Sequence, residues 1–416
     1  MKLLTQEYRE HWNTASKMFF RLLFIYFVLY ILLAFLSPLF ETQYRWIGKV
    51  TFGIGYEYEV SGNGSGDHTF AYLTLFVNVV STIVIFIIWT LLDRKRGNYN
   101  ELQYWFFVFL RFVLIAAMIV YGFVKVFKIQ FPSASLTHLL DPLGDFSPMG
   151  LAWTYMGFSK GFNVFVGLLE IVGGLLLIPR RTQTLGAFIV MGVMTQVAVM
   201  NFCYDIPVKL FSVHLILMAG AIFITDHRFF DVFINNKKVE GYNYYHPIKS
   251  AKYHNAIFWV KSIGLFIIVS FISFNLYTTM NHRGENRKKP LLYGIWEASS
   301  FVQNGDTLQA IVTDHYRWRY LIVDLKDEAT VKTMDDIKHQ YKFVPDSTTQ
   351  KIMIHLKDSG PEIYNFNYEN PNPNYLILDG IIGSDTLDIK FIRKDHKKFN
   401  LKSRGFNWIS ERPYVK

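Results

Sequence analysis

Apolar residues in this chain are gathered into blocks. Seven runs, at roughly 18–40, 70–92, 104–126, 161–179, 184–204, 207–225 and 256–279, have the length and all-round apolarity of membrane helices. From Leu291 onward the pattern switches to period two. Ile352, Ile354 and Leu356 alternate with polar positions, as do Leu387, Ile389 and Phe391. Similar short segments lie near 294–301, 307–313, 316–325, 339–344, 362–368 and 374–379. Eight to ten short strands separated by Asp-, Asn- and Gly-bearing turns predict a small antiparallel β-barrel or sandwich. The fold class that follows is an α-helical membrane protein with a C-terminal β domain.

The connections refine this plan. Residues 1–103 hold two spans joined by a loop, 41–69, whose glycine-rich tip Gly62-Asn-Gly-Ser-Gly-Asp67 reads as a turn. No Lys-Ser/Thr or helix start follows the tip, which argues against a phosphate cradle. Runs three to six, within 104–225, are joined by links as short as Arg180-Arg181-Thr182 and Tyr204-Asp205-Ile206, and short links force antiparallel neighbours in a four-helix bundle. The segment 127–160 is apolar and aromatic towards its end, as expected of an interfacial or re-entrant stretch. An amphipathic loop (226–255), the seventh span and a polar tether fill 226–289, and the β domain occupies 290–416. The first run reads as an anchor: it is long, follows seventeen polar-rich residues and lacks a small-x-small cleavage site.

Composition agrees with a membrane chain. Of 416 residues, 51% are hydrophobic and 17% aromatic, high for a soluble chain. The net charge of +10 belongs to residues 1–289, because the last 127 residues carry equal numbers of acids and bases. A neutral β domain speaks against nucleic acid as a partner. With the N-terminus cytoplasmic, thirteen Lys and Arg fall in inner loops and five in outer ones, which predicts an extracytoplasmic β domain. Arg283, Arg287, Lys288 and Lys289, just past the seventh run, run against that trend. The address this implies is a cell membrane, the inner one in a bacterium. Cys203 is the single cysteine, so no disulfide, CxxC pair or cysteine-rich iron–sulfur site forms within the chain. The histidines show no HxH or HxxxH spacing, and no metal site is expected.

Chemistry inside the membrane is carried by a few polar residues. Glu170 lies within the fourth run, where a carboxylate is costly unless paired or protonated. Arg111 and Lys125 share a face of the third run, and Gly167, Glu170 and Gly174 share a face of the fourth. Counting helix rise from the outer ends places Glu170, Gln196 and His214 in one layer. Arg111 lies deeper but within side-chain reach of Glu170, while Lys125, Asn201, Asp205 and Lys209 ring the outer mouth. Two readings stand. One is an outward-opening polar pocket in which Glu170 and His214 exchange protons with a bound head group such as a quinone's. The other is a structural Arg111–Glu170 ion pair and a satisfied bundle histidine. No residue set names a catalytic reaction.

The stretches Arg111 with Gly122-Phe-Val-Lys125, Gly167-Leu-Leu-Glu170-Ile-Val-Gly173-Gly174, Arg180-Arg-Thr-Gln-Thr-Leu-Gly186 and Asn201-Phe-Cys-Tyr-Asp205-Ile-Pro207-Val-Lys209 resemble the DoxX family of four-helix membrane proteins. The resemblance covers 104–225. It implies a quinone- or redox-linked membrane subunit without a redox centre of its own, dependent on a bound quinone or a redox partner subunit. Gly294-Ile-Trp296 resembles the opening of lipocalin-type barrels. The alternative function is a non-enzymatic envelope anchor whose outer β domain binds a lipid or a partner protein.

Overall fold

The computed structural model describes residues 4–61, 64–241, 244–247, 251–357 and 363–415. Parts of the glycine-rich tip, of the 226–255 loop and of the strand expected at 362–368 lie outside these residues. The chain divides into two compact units, Met1–Gln130 with Ser159–Thr279, and Phe131–Phe158 with Met280–Lys416.

In the first unit every expected apolar run forms a helix. These are α1 (Thr14–Leu36), α3 (Thr69–Leu92), α4 (Asn100–Val126), α6 (Lys160–Leu176), α7 (Gln183–Cys203), α8 (Lys209–Phe223) and, after a short helix α9 (Arg228–Phe233), α10 (Ala251–His282). Five stretches are long and apolar enough to cross a bilayer unaided, and α6 and α8 are shorter. The protein is therefore multi-pass. The Asn13 carboxamide caps α1 by accepting from Ser16 N at 2.7 Å, and the Ser159 hydroxyl caps α6 by accepting from Phe162 N at 3.2 Å. Helices α4, α6, α7 and α8 pack in a ring, each touching the next, and α1 lies against α3.

Two connections differ from the sequence reading. The loop expected at 41–69 begins with a helix, α2 (Glu41–Phe52), which ends at Gly53 in the left-handed conformation (φ 67°). The end of the glycine-rich tip is bound rather than free. Gly66 N donates to Pro207 O at 2.7 Å, and the Asp67 carboxylate accepts from Lys209 N (2.6 Å) and Leu210 N (2.9 Å). Asp67 thus caps α8, a role that pairs residues 142 positions apart and leaves no local sequence signal.

The second unit is an eight-stranded antiparallel barrel. Its strands are β1 (Gly294–Gln303), β3 (Trp318–Val323), β4 (Glu328–Thr333), β5 (Lys338–Asp346), β6 (Lys351–Leu356), β7 (Tyr364–Asn372), β8 (Tyr375–Ile382) and β9 (Asp385–Lys394), with β2 (Asp306–Thr307) a short extension beside β1. Neighbours in sequence are neighbours in the sheet, and β1 closes on β9. The inward face is filled by Trp296, Phe301, Leu321, Phe343, Ile352, Ile354, Phe366, Leu378, Ile389 and Phe391, so the interior is a packed core. β4 is a strand the pattern had not suggested, because its inward residues include only Ala329 and Val331. The strand expected at 307–313 shrinks to the two residues of β2.

The segment 131–158, expected at the interface or re-entering the bundle, belongs to the barrel unit. Leu136 packs with Ile295, Tyr320 and Ile322 and donates its N–H to Asp324 Oδ2 at 3.1 Å. Lys332, 3% exposed, donates to Leu140 O at 3.1 Å, and Lys338 pairs with Asp141 at 2.7 Å. The stretch ends in a short helix, α5 (Pro148–Phe158). Its Gly157 meets the Pro132 carbonyl so closely that no Cβ fits.

At the β3–β4 end, the Thr333 hydroxyl donates to Asp335 Oδ1 (2.5 Å) and His315 Nδ1 lies 2.6 Å from Asp335 Oδ2. These contacts hold the Asp335 carboxyl down to about 2. Its folded value lies below the unfolded carboxylate value of about 4. The stabilisation is therefore present above pH about 4 and is lost as pH falls towards 2. Protection of β3 and β4 against hydrogen exchange, corrected for the intrinsic rate at each pH, should fall over that interval in the native protein. In Asp335→Asn protection should be lower at neutral pH and change less across the same interval.

Candidate functional site

The geometry around Glu170 begins with glycines. A Cβ on Gly122 would lie 2.7 Å from the Gly167 carbonyl oxygen and 2.6 Å from Ile171 Cγ1; one on Gly167 would lie 2.6 Å from the Gly122 carbonyl. The α4 and α6 backbones therefore touch, as small residues allow in membrane bundles. One turn beyond Gly122, Lys125 Nζ donates to Glu170 Oε1 (2.7 Å) and Oε2 (2.9 Å). The two side chains are 4% and 1% exposed. The pair is closed and doubly bonded, and it locks two antiparallel helices. Gly122→Ala should cost about 1–3 kcal/mol by overpacking, read as a lower unfolding temperature of the purified protein.

This corrects the expected Arg111–Glu170 pair. In the antiparallel register Gly122 meets Gly167 and Met118 meets Gly174, so Arg111 falls opposite the end of α6. Its Nη1 donates to Leu177 O at 3.5 Å and its Nε to Phe107 O at 3.3 Å. Seven residues separate Leu177 from Glu170, roughly 10 Å along the helix, beyond what the side chain covers here. Lys125, expected at the outer mouth, is instead buried in the ion pair.

His214 sits elsewhere. Its Nδ1 lies 2.6 Å from the Leu210 carbonyl oxygen, which can only accept, so Nδ1 carries the proton. Nε2 then accepts from the Tyr26 hydroxyl at 2.8 Å. The Tyr30 ring stacks on the imidazole at 3.7 Å between centroids, 4° from parallel. The two tyrosines come from α1, outside the four helices that the sequence had singled out. His214 is thus buried (3% exposed) with one carbonyl, one phenol and one ring face around it.

The remaining expected residues separate. Gln196 is exposed on α7, whereas Glu170 and His214 are buried. Asn201, buried, donates to Ser212 Oγ (3.1 Å) and Val208 O (3.3 Å). Asp205 takes a left-handed conformation (φ 50°) and pairs at the surface with Lys209 at 2.9 Å. These three residues build the α7–α8 turn. Among the described residues no group of three or more His, Cys, Asp or Glu side chains is placed to hold a metal.

Over 80 residues the chain is 36% identical to a protein of Bacillus subtilis (strain 168) known only as uncharacterized protein YwoB. That stretch is 19% of this chain and 52% of the relative, so the chain spans about half the length of the curated protein it matches. No family model and no solved structure matches the chain.

Proposed function

We propose that this chain is a DoxX-type multi-pass membrane protein working as a quinone- or redox-linked subunit, with its protonatable site at His214. The observation that carries the reading is the contact set of that imidazole, stacked on Tyr30 and accepting from Tyr26. A flat quinone head group exchanges protons as it changes redox state, and a neutral imidazole beside a phenol can take up or return one at Nε2. Lys125 and Glu170 hold the neighbouring helices together in this scheme. The electron donor or acceptor is a partner subunit. The Lys and Arg distribution supports a cytoplasmic N-terminus and an extracytoplasmic barrel. The test is native mass spectrometry with lipid extraction on protein purified in mild detergent, followed by titration with short-chain ubiquinone and menaquinone. Bound quinone in the wild type, lost in His214→Phe at unchanged thermal stability, is the expected result. No quinone in the wild type by either route defeats the reading.

A second reading, a non-enzymatic anchor whose barrel unit binds a lipid or a partner protein, draws on the apolar side chains on that unit. Ile311, Val312 and Tyr316 are exposed, as are Phe406, Trp408 and Ile409 in the C-terminal segment. The Gly294-Ile-Trp296 opening and the up-and-down strand order favour a lipocalin-like relationship for the barrel. The packed interior would direct binding to the surface. Under this reading Trp408→Ser weakens vesicle or partner binding while His214→Phe has no effect.

A further inference from the structure

We infer that the C-terminal segment 399–415 docks on the surface of the chain's own bilayer, seating Phe406, Trp408 and Ile409 among anionic phospholipid headgroups. The inference rests on the anchor reading, of which it names the lipid and the residues, and is independent of His214. The segment is a built loop. The Tyr414 hydroxyl donates to Asn400 Oδ1 at 3.3 Å, and the Arg404 guanidinium lies over the Tyr414 ring, 4.6 Å from its centroid. Arg404 Nη2 also donates to Ser410 Oγ at 3.5 Å. These contacts fold the segment back on itself. The turn carries Phe406 and Trp408 edge to face, with 5.1 Å between ring centroids. The two rings are 79% and 91% exposed and Ile409 is 80% exposed, so the loop holds an apolar tip in the open.

The loop starts where the barrel unit is joined to membrane helices. Phe399 packs on the cluster of Leu136, Ile295, Tyr320 and Ile322, and the His396 ring meets Tyr293 at 5.9 Å. Leu136 follows the end of α4 at Val126, and Tyr293 follows the end of α10 at His282. Each of these two links is about 40 Å long at full stretch, so the chain alone holds the root of the loop near a bilayer surface.

Charge points the same way. Within 396–416, Lys397, Lys398, Lys402, Arg404, Arg412 and Lys416 stand against one acid, Glu411. Arg283, Lys288 and Lys289, in the link after α10, add to the same sign. Rings flanked by lysine and arginine suit the headgroup layer, where the rings enter the acyl boundary and the cations stay with the phosphates. A partner protein would have to be recruited from solution, whereas the bilayer is already present at high effective concentration.

The experiment uses the full chain in nanodiscs, with Cys203→Ser and Asn407→Cys so that one fluorophore sits between the two rings. Lipid carrying a nitroxide at headgroup depth is the quencher, in discs of phosphatidylcholine with and without phosphatidylglycerol. Strong quenching is expected with phosphatidylglycerol. It should fall by about half or more in high salt or in phosphatidylcholine alone, as an electrostatic share of the binding requires. Adding Phe406→Ser with Trp408→Ser, or Lys397→Gln with Lys398→Gln, should lower it likewise. A label that is not quenched, or is quenched as before in the Phe406→Ser, Trp408→Ser pair, overturns the inference. Quenching as strong without phosphatidylglycerol, or in the lysine pair, overturns the assignment to an anionic surface. A label shielded from water to the same degree in amphipol, where no bilayer is present, shows a loop seated on protein and also overturns it. Binding of the amphipol-held chain to added vesicles tests the anchor reading by itself. Vesicle binding retained beside an unquenched label defeats the docking and leaves that reading standing.

Discussion

Replacing Glu170 by glutamine destabilises the helical unit by about 3–5 kcal/mol, the cost of leaving one partner of a buried ion pair unmatched. Lys125 accounts for the size of the effect. Its side chain is 4% exposed, both of its carboxylate contacts come from Glu170, and its Cβ lies 3.1 Å from where a Cβ on Gly167 would stand. Lys125→Met alone should be nearly as damaging, because it strands the carboxylate. The double variant Lys125→Met with Glu170→Leu should recover most of the loss, since apolar side chains of similar volume suit a membrane bundle. Thermal unfolding of the four proteins in one detergent gives the coupling directly. Additive single and double effects would show that the pair does not lock α4 to α6. A wild-type-like Glu170→Gln would return the carboxylate to the list of binding groups.

The second large effect is expected in the barrel. Phe366→Ala should cost about 3–5 kcal/mol, as other buried phenylalanine truncations do. Phe366 is fully buried on β7, directly across from Gly380 of β8, and a Cβ at Gly380 would lie 2.6 Å from its ring. The ring fills the space that the glycine leaves, so its removal opens a cavity that neither strand can close by a rotamer change. Hydrogen exchange of β6 to β9 in the full chain should accelerate by two orders of magnitude or more, while exchange in α4 and α6 stays as it was. Unchanged exchange in the barrel would mean that the site collapses around the missing ring. Gly380→Val should act in the same direction by forcing the ring out of place.

Element type was legible in the sequence wherever the pattern was local. The seven apolar runs became helices, and alternation such as Ile352, Ile354 and Leu356 became strand, because 3.6- and two-residue periods are properties of one segment. β4 escaped notice for a local reason too. It buries Lys332 and Thr333 beside Ala329 and Val331, and Lys332 reads as a surface residue until Asp141, Asp336 and the Leu140 carbonyl are seen around it.

The candidate site was legible only in its membership. That Glu170, Lys125, Arg111 and His214 needed partners followed from placing charge and imidazole in apolar runs. Which partner each would take did not follow. Helix rise put Arg111 within notional reach of Glu170, yet the Gly122–Gly167 contact sets the α4–α6 register and hands the carboxylate to Lys125. Tyr26 and Tyr30 join His214 across 188 and 184 positions of chain, and Asp67 caps α8 across 142. Residue pattern alone therefore carries the multi-pass helical part, the β domain and the short list of buried polar groups, since burial cost depends on the residue and its immediate neighbours. The pairing of those groups, the closure of β1 on β9 and the union of 131–158 with the barrel were decided by tertiary contacts alone. Each depends on distances between segments that the chain connects only through long intervening stretches, and no local period encodes them.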